Sequence, residues 1–306
     1  MILRIGTRGS RLALAQSEWV REKLVERYSD IRVELVKIKT KGDKILDSPL
    51  SEIGGKGLFV KEIEDALLRK EVDVAVHSVK DVPTELPGGL KLAVFPKRED
   101  PHDAFISAEF ETLADLPEGA SVGTSSLRRS AQLLNRRPDL HIAPLRGNVD
   151  TRLRKLESGD VQAIILASAG LKRLGLSSRI NHIISSDELL PAIGQGALGL
   201  ELRENDTIVE LLHFLNHGPS EVAVRAERAL LRELEGGCQV PIAAYGCLSG
   251  ESLLLKGMVA ELDGSRIIRD EIRGHRNSPE DMGISLARRL LSSGAAEILA
   301  RIYGRV

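Results

Sequence analysis

Strand-like and helix-like segments alternate through the first two hundred residues, and this alternation constrains the fold more than any other feature. Ile2–Gly6 and Arg32–Lys39 have the apolar composition of strands, whereas Leu12–Tyr28 between them has a helical pattern. A β-branched run at Val72–Val76 completes the series. Such alternation predicts an α/β fold, in which helices flank a parallel or mixed sheet.

A second alternating series follows a charged, proline-containing segment at Arg98–Asp103. Strands are predicted at Ser121–Gly123, His141–Leu145 and Ala163–Ala167, with a helix after each of the first two. Two similar series joined by short crossings indicate a bilobal protein with a cleft between its lobes.

The sequence changes character after residue 218. Pro219–Leu234 is predicted to be a helix, with Gly236 as its C′ residue. Leu253–Leu262 and Arg266–Ile272 are predicted to pair as a hairpin, and Ser278 to be the N-cap of a last helix. This part of the chain therefore predicts a small α+β domain.

Composition narrows the class of protein. Hydrophobic residues make up 42% of the 306 residues, enough for substantial cores, and 43 basic residues nearly balance 44 acidic ones. That balance argues against a dedicated nucleic-acid-binding protein. We find no apolar run long enough to span a bilayer, no signal-peptide pattern and no metal-ligand spacing, and two cysteines make no disulfide scaffold. A cytoplasmic protein without a membrane or metal site is expected.

The residues that follow the strand at Val72–Val76 form the first candidate site. His77, Lys80 and Asp81 bring an imidazole, a cation and a carboxylate close behind a buried strand. In open α/β sheets, ligands bind just beyond the carboxyl ends of the strands. We predict that Asp81 carries the chemistry, whereas a single histidine such as His77 is equally consistent with a structural role.

Arginines occur where helices are predicted to begin: Arg8, Arg128, Arg129, Arg146 and Arg152. One surface arginine usually forms only weak ion pairs. Cations, however, normally favour the C-terminal ends of helices, so a group of them at N-terminal ends indicates an external anion. Because guanidinium forks bind carboxylates in bidentate fashion, the group predicts a ligand with several carboxylates.

Cys238 lies in a Gly-Gly-Cys-Gln-Val-Pro segment that predicts an exposed loop after a helix. A lone cysteine is most often a small buried hydrophobe, which suits Cys247. Cys238 is placed differently and is a candidate nucleophile or attachment point. No nearby histidine is positioned to activate it, so a hydrolase dyad is poorly supported.

These motifs together resemble the porphobilinogen deaminase family, also called the hydroxymethylbilane synthases, over essentially the whole chain. The matching segments are long and occur in the same order. They are Thr7-Arg8, Gly54–Phe59, His77–Pro83, Arg98–Pro101, Gly123–Arg129, Leu145–Asn148, Gly194–Gly196 and Glu235–Pro241.

The resemblance implies a transferase of tetrapyrrole biosynthesis. Such an enzyme joins four porphobilinogen molecules head to tail, releases ammonia at each step and frees hydroxymethylbilane, which passes to uroporphyrinogen III synthase. The resemblance also implies a dipyrromethane cofactor, made from porphobilinogen and attached by a thioether to Cys238. A monomer is expected.

The same resemblance implies three domains and an α/β fold in which two lobes resemble type II periplasmic binding proteins. Lobe one is expected at 1–97 and 197–215, lobe two at 102–192, and a small C-terminal α+β domain carrying the cofactor cysteine at 218–306.

Residue roles follow from the matched motifs. Asp81 is implied to lie beneath the pyrrole nitrogens and to stabilise the positive charge that develops when ammonia leaves. The residues implied to hold the carboxylates of the cofactor are Lys80, Thr124, Ser126, Arg128, Arg129, Arg146 and Arg152. Those implied to hold the incoming substrate are Arg8, Ser10 and Arg173, with Lys56 as a cation that closes over it.

Two other classes of function compete with this interpretation. The lobes alone would also suit a non-catalytic, bilobal binding protein for a small polycarboxylate. The absence of a signal-peptide pattern and the loop around Cys238 favour the enzyme. A nucleic-acid-binding regulator is disfavoured by the net charge of −1 and by an aromatic content of only 3%.

Overall fold

A computed structural model describes residues 1–44, 57–236 and 240–304. The chain divides into two compact units. Unit 1 comprises Met1–Glu99 and Gly196–Glu221, and unit 2 comprises Asp100–Gln195 and Val222–Val306. The predicted division into three domains stays a prediction.

Unit 1 is built on a mixed five-stranded sheet with the order β2-β1-β3-β10-β4. Strand β1 is parallel to β2 and β3, and β10 runs antiparallel to both β3 and β4. The strands are β1 (Ile2–Thr7), β2 (Arg32–Lys37), β3 (Val74–Ser78), β4 (Leu90–Val94) and β10 (Leu198–Arg203). The helices are α1 (Arg11–Arg27), α2 (Lys41–Lys44), α3 (Lys61–Leu68) and α7 (Ile208–Leu212).

Both faces of this sheet are buried. Leu3, Val20 and Val76 belong to the core that α1 covers, whereas Ile63 and Ala75 belong to the core that α3 covers. The third strand begins and ends two residues later than predicted, because His77 and Ser78 pair with Gly199 and Leu198 of β10. The sequence interpretation ended this strand at Val76, where the apolar run stops.

Unit 2 contains a second mixed five-stranded sheet, with the order β7-β6-β8-β5-β9. Strand β6 is parallel to β7 and β8, and β5 runs antiparallel to β8 and β9. Its strands are β5 (Asp103–Ser107), β6 (Ser121–Gly123), β7 (His141–Ala143), β8 (Ala163–Ala167) and β9 (His182–Ile184). Its helices are α4 (Leu127–Arg136), α5 (Val149–Glu157) and α6 (Ser168–Arg173).

The C-terminal part of unit 2 is an antiparallel three-stranded sheet packed against helices. Its strands are β11 (Ile242–Ser249), β12 (Ser252–Ala260) and β13 (Ile267–His275). The helices in this part of the chain are α8 (Gly218–Glu233), α9 (Pro279–Leu290) and α10 (Ala296–Ile302). The predicted hairpin is confirmed as the pairing of β12 with β13. Strand β11 was not predicted.

Two predicted helix caps differ in detail. The left-handed residue after α8 is Glu235, with φ 52°, and Gly236 follows it. The N–H of Gly236 donates to the carbonyl of Leu231, and that of Glu235 to Arg232, which is the Schellman arrangement with Glu235 at C′. A Cβ on Gly236 would lie 2.5 Å from Cδ1 of Leu231, so a larger residue there would have to displace that side chain. Ser278 occupies the N-cap of α9, but its side chain makes no capping hydrogen bond.

The predicted α/β fold class is confirmed. Each five-stranded sheet begins with three parallel strands, of which the earliest in the chain lies in the middle: β2-β1-β3 in one sheet and β7-β6-β8 in the other. An antiparallel strand comes next, β10 or β5, and the last position is taken by β4 or β9. The small C-terminal domain combines a sheet and helices, as expected. In the described part of the chain, no helix is both long and apolar enough to cross a membrane.

Candidate active site

Asp81 lies at the end of a single 3₁₀ turn, Val79–Asp81, that follows β3 directly. The turn is fixed at its start, because the N–H of Val79 donates to the carbonyl of Ala197 at 3.0 Å. Asp81 is half-buried, and its side chain makes no hydrogen bond or ion pair with the described residues. Lys80, on the same turn, is also half-buried. The strand end thus presents a carboxylate that is available to a ligand.

The side chain of His77, by contrast, is engaged within the protein. Its Nε2 lies 2.9 Å from Oε2 of Glu201 on β10, and both side chains are buried. The pair links β3 to β10 within the sheet. This position suits the structural role that the sequence left open for His77.

Ser10 and Arg8 precede the first helix. Ser10 is the N-cap of α1, since its Oγ accepts a hydrogen bond from the N–H of Ala13 at 3.2 Å. The guanidinium of Arg8 donates from Nε and Nη2 to Oδ1 of Asp43, at 3.1 and 2.6 Å, and lies 4.2 Å from the centre of the Phe59 ring. Those contacts hold Arg8 in one orientation.

The first helix is also tied to the strand end that carries Asp81. The side-chain amide of Gln16 on α1 donates from Nε2 to Oγ of Ser78, at 2.9 Å. Within unit 1, the structure thus connects the helix that follows Arg8 and Ser10 to the last residue of β3.

Arg128 and Arg129 lie in the first turn of α4 and are only 5% and 6% exposed. Both guanidinium groups contact the carboxylate of Asp103, the first residue of β5. Nη1 of Arg128 lies 2.8 Å from Oδ2, and Nη2 of Arg129 lies 2.6 Å from Oδ1. An internal carboxylate, which the sequence interpretation did not include, therefore pairs with two of the predicted anion-binding arginines.

The charges of this cluster do not cancel. Burial alone would raise the pKa of Asp103, but the neighbouring guanidinium groups of Arg128 and Arg129 hold it well below its usual range. One carboxylate and two guanidiniums leave a net positive charge in a buried place. Nε of Arg128 is buried and has no hydrogen-bond partner among the described residues. A buried donor without an acceptor is costly, so the cluster favours an added anion.

Thr124 and Ser126 belong to the turn that precedes α4. Oγ1 of Thr124 accepts from the N–H of Ser126 at 3.2 Å, and Oγ of Ser126 accepts from the N–H of Arg129 at 3.5 Å as the N-cap. Ser125 between them exchanges hydrogen bonds with the main chain of Leu145, at 2.9 and 3.0 Å. This exchange joins the turn before α4 to the turn before α5.

Arg146 and Arg152 flank the start of α5. Asn148 is the N-cap, and its Oδ1 accepts from the N–H of Thr151 at 2.9 Å. Nε of Arg152 donates to the carbonyl of Gly147 at 2.9 Å, so this arginine folds back over the turn that follows Arg146. Both arginines are half-buried.

Arg173 is the last residue of α6 and is half-buried. The same helix is anchored by Asp100, whose Oδ2 accepts from Oγ of Ser168 at 3.1 Å and from Nζ of Lys172 at 3.0 Å. Burial alone would raise the pKa of Asp100, but hydrogen bonds from His102 and Lys172 lower it to about 2. Asp100 thus stays ionised and holds the helix that carries Arg173.

Two predicted site residues, Cys238 and Lys56, lie outside the described residues. The expectation that the other cysteine, Cys247, is buried was wrong, because this residue is exposed on β11.

Sequence analysis missed Asp43, Asp100, Asp103 and Gln195, which contact or support the predicted site residues. Asp100 and Asp103 belong to the charged segment Arg98–Asp103, which was interpreted only as a connection between the two lobes. Gln195, whose Nε2 donates to Oδ1 of Asp103 at 2.9 Å, stood in the matched Gly-Gln-Gly motif and could have been found there.

Comparison with known proteins identifies the family. Residues 3–210 match the family model described as porphobilinogen deaminase, dipyromethane cofactor binding domain. The chain belongs to the porphobilinogen deaminase family. Residues 222–292 match the C-terminal domain of the same family.

Curated porphobilinogen deaminases are similar over nearly the full length. The protein of Geobacter sulfurreducens is 58% identical over 304 residues, which cover 99% of this chain and 95% of that protein. The porphobilinogen deaminase of Trichlorobacter lovleyi is 57% identical, with coverage of 99% and 97%. Similarity to solved structures outside the family is much weaker. A methionine-binding protein is 14% identical with a TM-score of 0.45, over 69% of this chain and 88% of that one.

Proposed function

We propose that this member of the family is itself a porphobilinogen deaminase. It is a transferase that joins four porphobilinogen molecules head to tail, releases one ammonia at each condensation and frees the linear product hydroxymethylbilane by hydrolysis. The observation that carries this proposal is the 58% identity to a curated porphobilinogen deaminase along 99% of the chain.

The proposal includes a dipyrromethane cofactor attached by a thioether to Cys238. When bound, this group supplies the pyrrole end to which the first substrate molecule is joined, and it stays on the enzyme. The residues around Arg128 fit a group with acetate and propionate side chains, because the cluster has a surplus positive charge and Nε of Arg128 is a buried donor with no acceptor in the described part of the chain.

The chain's own residues bind and orient the carboxylates in this proposal. The residues assigned to the cofactor are Lys80, Thr124, Ser126, Arg128, Arg129, Arg146 and Arg152. Those assigned to the incoming porphobilinogen are Arg8, Ser10, Arg173 and Lys56. Support comes from the preorganisation of these side chains: Arg8 is held by Asp43, and Arg128 by Asp103, before any ligand arrives.

Asp81 is assigned the catalytic role. Loss of ammonia from porphobilinogen leaves a positive charge delocalised over the substrate's pyrrole ring. A fixed carboxylate stabilises that charge as it develops, and it can accept the proton that the attacked ring carbon releases. The position of Asp81 supports the assignment, since its half-buried carboxylate has no competing partner among the described residues.

The family resemblance extends the proposal to the setting of the enzyme. We place it in the cytoplasm as a monomer, with its product passing to uroporphyrinogen III synthase. The C-terminal domain at 218–306 carries the cofactor cysteine. The alternative, a non-catalytic binding protein for a small polycarboxylate, is not favoured by similarity to enzymes over the full chain.

The intact mass of the purified protein, measured alongside turnover of porphobilinogen, tests the proposal. We expect an adduct of two linked pyrrole units that is lost in Cys238→Ser and kept in the control Cys247→Ser. Active protein of unmodified mass would overturn the attachment at Cys238. A wild-type protein that carries the adduct but forms no hydroxymethylbilane would overturn the enzymatic function.

A further inference from the structure

Asp100 holds helix α6 near both of its ends. Oδ2 of its carboxylate accepts from Oγ of Ser168, the first residue of the helix, at 3.1 Å. The same oxygen accepts from Nζ of Lys172, the last residue but one, at 3.0 Å. Residues four positions apart lie on one face of a helix. One carboxylate oxygen therefore anchors a whole face of α6.

The other carboxylate oxygen fixes Asp100 itself. Oδ1 accepts from the main-chain N–H of His102 at 3.0 Å and from Nδ1 of the same residue at 2.7 Å. In return, the N–H of Ser168 donates to the carbonyl of His102 at 3.1 Å. Main-chain and side-chain hydrogen bonds thus join residues 100–102 to the start of α6.

Helix α6 depends on support of this kind. It has only six residues, and its N-cap residue, Ala167, makes no side-chain capping hydrogen bond. A helix of that length is unstable on its own. On another side of the helix, Leu171 is fully buried in a core of the second sheet. Anchoring on two sides prevents rotation of the helix about its axis, and so it also fixes the direction in which the side chain of Arg173 leaves the helix.

We propose that Asp100 is a positioning residue, which acts through Ser168 and Lys172 to hold Arg173 where it binds a carboxylate of the incoming porphobilinogen. The proposal rests on the proposed function, in which Arg173 contacts that substrate. Asp100 itself does not touch the substrate. Because Arg173 directly follows Lys172 in the chain, a change in the anchoring of one residue is transmitted to the other through a single peptide unit.

The chemistry of this position requires an ionised carboxylate. The hydroxyl of Ser168, the ammonium of Lys172 and the N–H of His102 all donate, and a carboxylate accepts on both of its oxygens. Burial would raise the pKa of Asp100, but hydrogen bonds from His102 and Lys172 lower it to about 2, so the group is charged at neutral pH. An asparagine would direct its amide N–H groups either at His102 or at α6, and would leave donors there without an acceptor.

Two other roles for Asp100 predict different kinetics. A purely structural residue would affect the stability of the protein but not its affinity for the substrate. A residue that contacts the substrate would affect the affinity whether or not Arg173 is present. A double-mutant cycle separates these roles, because a positioning residue acts only through the residue that it positions.

The experiment measures KM and kcat for porphobilinogen in protein whose intact mass shows the full two-pyrrole adduct. We expect Asp100→Asn to raise KM by roughly tenfold and to change kcat by less than about threefold, since it weakens binding rather than removing a catalytic group. In the Arg173→Leu background, the same substitution should raise KM by less than about twofold. Thermal unfolding shows whether each variant is folded at the assay temperature.

Lys172→Met tests the route through α6 while Asp100 stays in place. It removes an exposed ammonium but keeps an apolar stem, so we expect a folded protein whose KM rises by about threefold. Lys172→Arg keeps the charge and should raise KM less than Lys172→Met does. If Asp100→Asn does not fold, Lys172→Met takes its place in the cycle with Arg173→Leu. The control is Lys256→Met, which breaks a similar ion pair with Asp187, at 2.6 Å in the same unit, and should leave KM unchanged.

An equal rise in KM on both backgrounds, or a wild-type KM in folded Asp100→Asn, would overturn the proposal. A wild type that forms no hydroxymethylbilane would overturn the proposed function, and an unchanged KM in Arg173→Leu would overturn the substrate assignment of that arginine. Both of these outcomes differ from an active wild type in which Arg173→Leu raises KM but the Asp100 variants do not behave as expected.

Discussion

Nε2 of His77 lies 2.9 Å from Oε2 of Glu201, on the face of the first sheet that helix α3 covers. Glu64, on α3, adds a second buried carboxylate to the same region. Burial, reinforced by the charge of Glu201, raises the pKa of Glu64 to about 7, against opposing contributions from His77 and Lys61. The carboxyl of Glu64 is thus enclosed near His77, which belongs to the strand that leads to Asp81.

This raised pKa predicts a dependence of stability on pH. The folded state keeps a proton on Glu64 between pH 4.5 and about 7, where the unfolded chain has released it. Stability conferred at low pH is therefore lost as the pH rises through this window. Glu64→Gln removes this loss, so at pH 8 we expect the variant to be more stable than the wild type by up to about 3 kcal/mol.

Urea unfolding from pH 5 to pH 8 measures the effect as a difference between variant and wild type. Glu22→Gln, on the exposed side of α1, is the control and should follow the wild-type curve at every pH. If Glu64→Gln also runs parallel to the wild type over this range, Glu64 does not titrate as stated.

Asp81→Asn should retain the fold and the cofactor adduct but lose turnover by about 10²–10⁴-fold. An amide keeps the shape of the side chain but offers neither a negative charge nor a proton acceptor of comparable strength. Steady-state turnover of porphobilinogen together with intact mass checks this prediction. Asp30→Asn, an exposed position in the same unit, serves as the control. Normal turnover in Asp81→Asn would remove Asp81 from the catalytic role.

Gly147→Ala should impair cofactor loading and destabilise the protein by about 1–3 kcal/mol. Gly147 has a φ of +103°, and an added Cβ would lie 2.7 Å from Thr151. The resulting shift would move the carbonyl that receives Nε of Arg152. Gly159, after the same helix, also has a positive φ, of +77°, but open space around it. Gly159→Ala should therefore cost stability without affecting loading, and equal loading defects in both variants would argue against a local effect on Arg152.

Arg128→Leu and Arg173→Leu should fail at different stages. The first removes the guanidinium proposed to hold the cofactor, so we expect protein that lacks the adduct. The second changes the last residue of α6, assigned to the incoming substrate, so we expect normal loading and turnover reduced by roughly tenfold or more. Mass spectrometry distinguishes the two defects. Wild-type behaviour in both variants would contradict the assignment of these arginines to carboxylates.

Much of the fold could be predicted because its signals are local. Ser10, Ser126 and Asn148 cap the three helices that follow β1, β6 and β7, and each cap has a recognisable sequence. The apolar runs of the parallel strands were equally visible. Boundaries that depend on a distant partner were missed, as with β3, whose last two residues are in the sheet only because β10 pairs with them.

The candidate site divides in the same way. The arginines were recognised by their positions at helix starts, but Asp103 was not recognised as their partner. A carboxylate in a charged segment is typical of a solvated loop. The free-energy cost of burying Asp103 is offset only because Arg128 and Arg129 form ion pairs with it. That approach requires β5 to lie beside β8, a relationship between segments far apart in the chain.

The strand order of the first sheet has a consequence for synthesis on the ribosome. Strand β10, which lies between β3 and β4, follows every strand of the second sheet in the chain. The edge of β3 at Val76 therefore stays unpaired until Leu200 has emerged from the ribosome. The segment from β5 to β9 can pair its own strands earlier. The first sheet is thus expected to be completed after the second sheet, leaving an apolar strand edge exposed to chaperones or neighbouring chains in the interval.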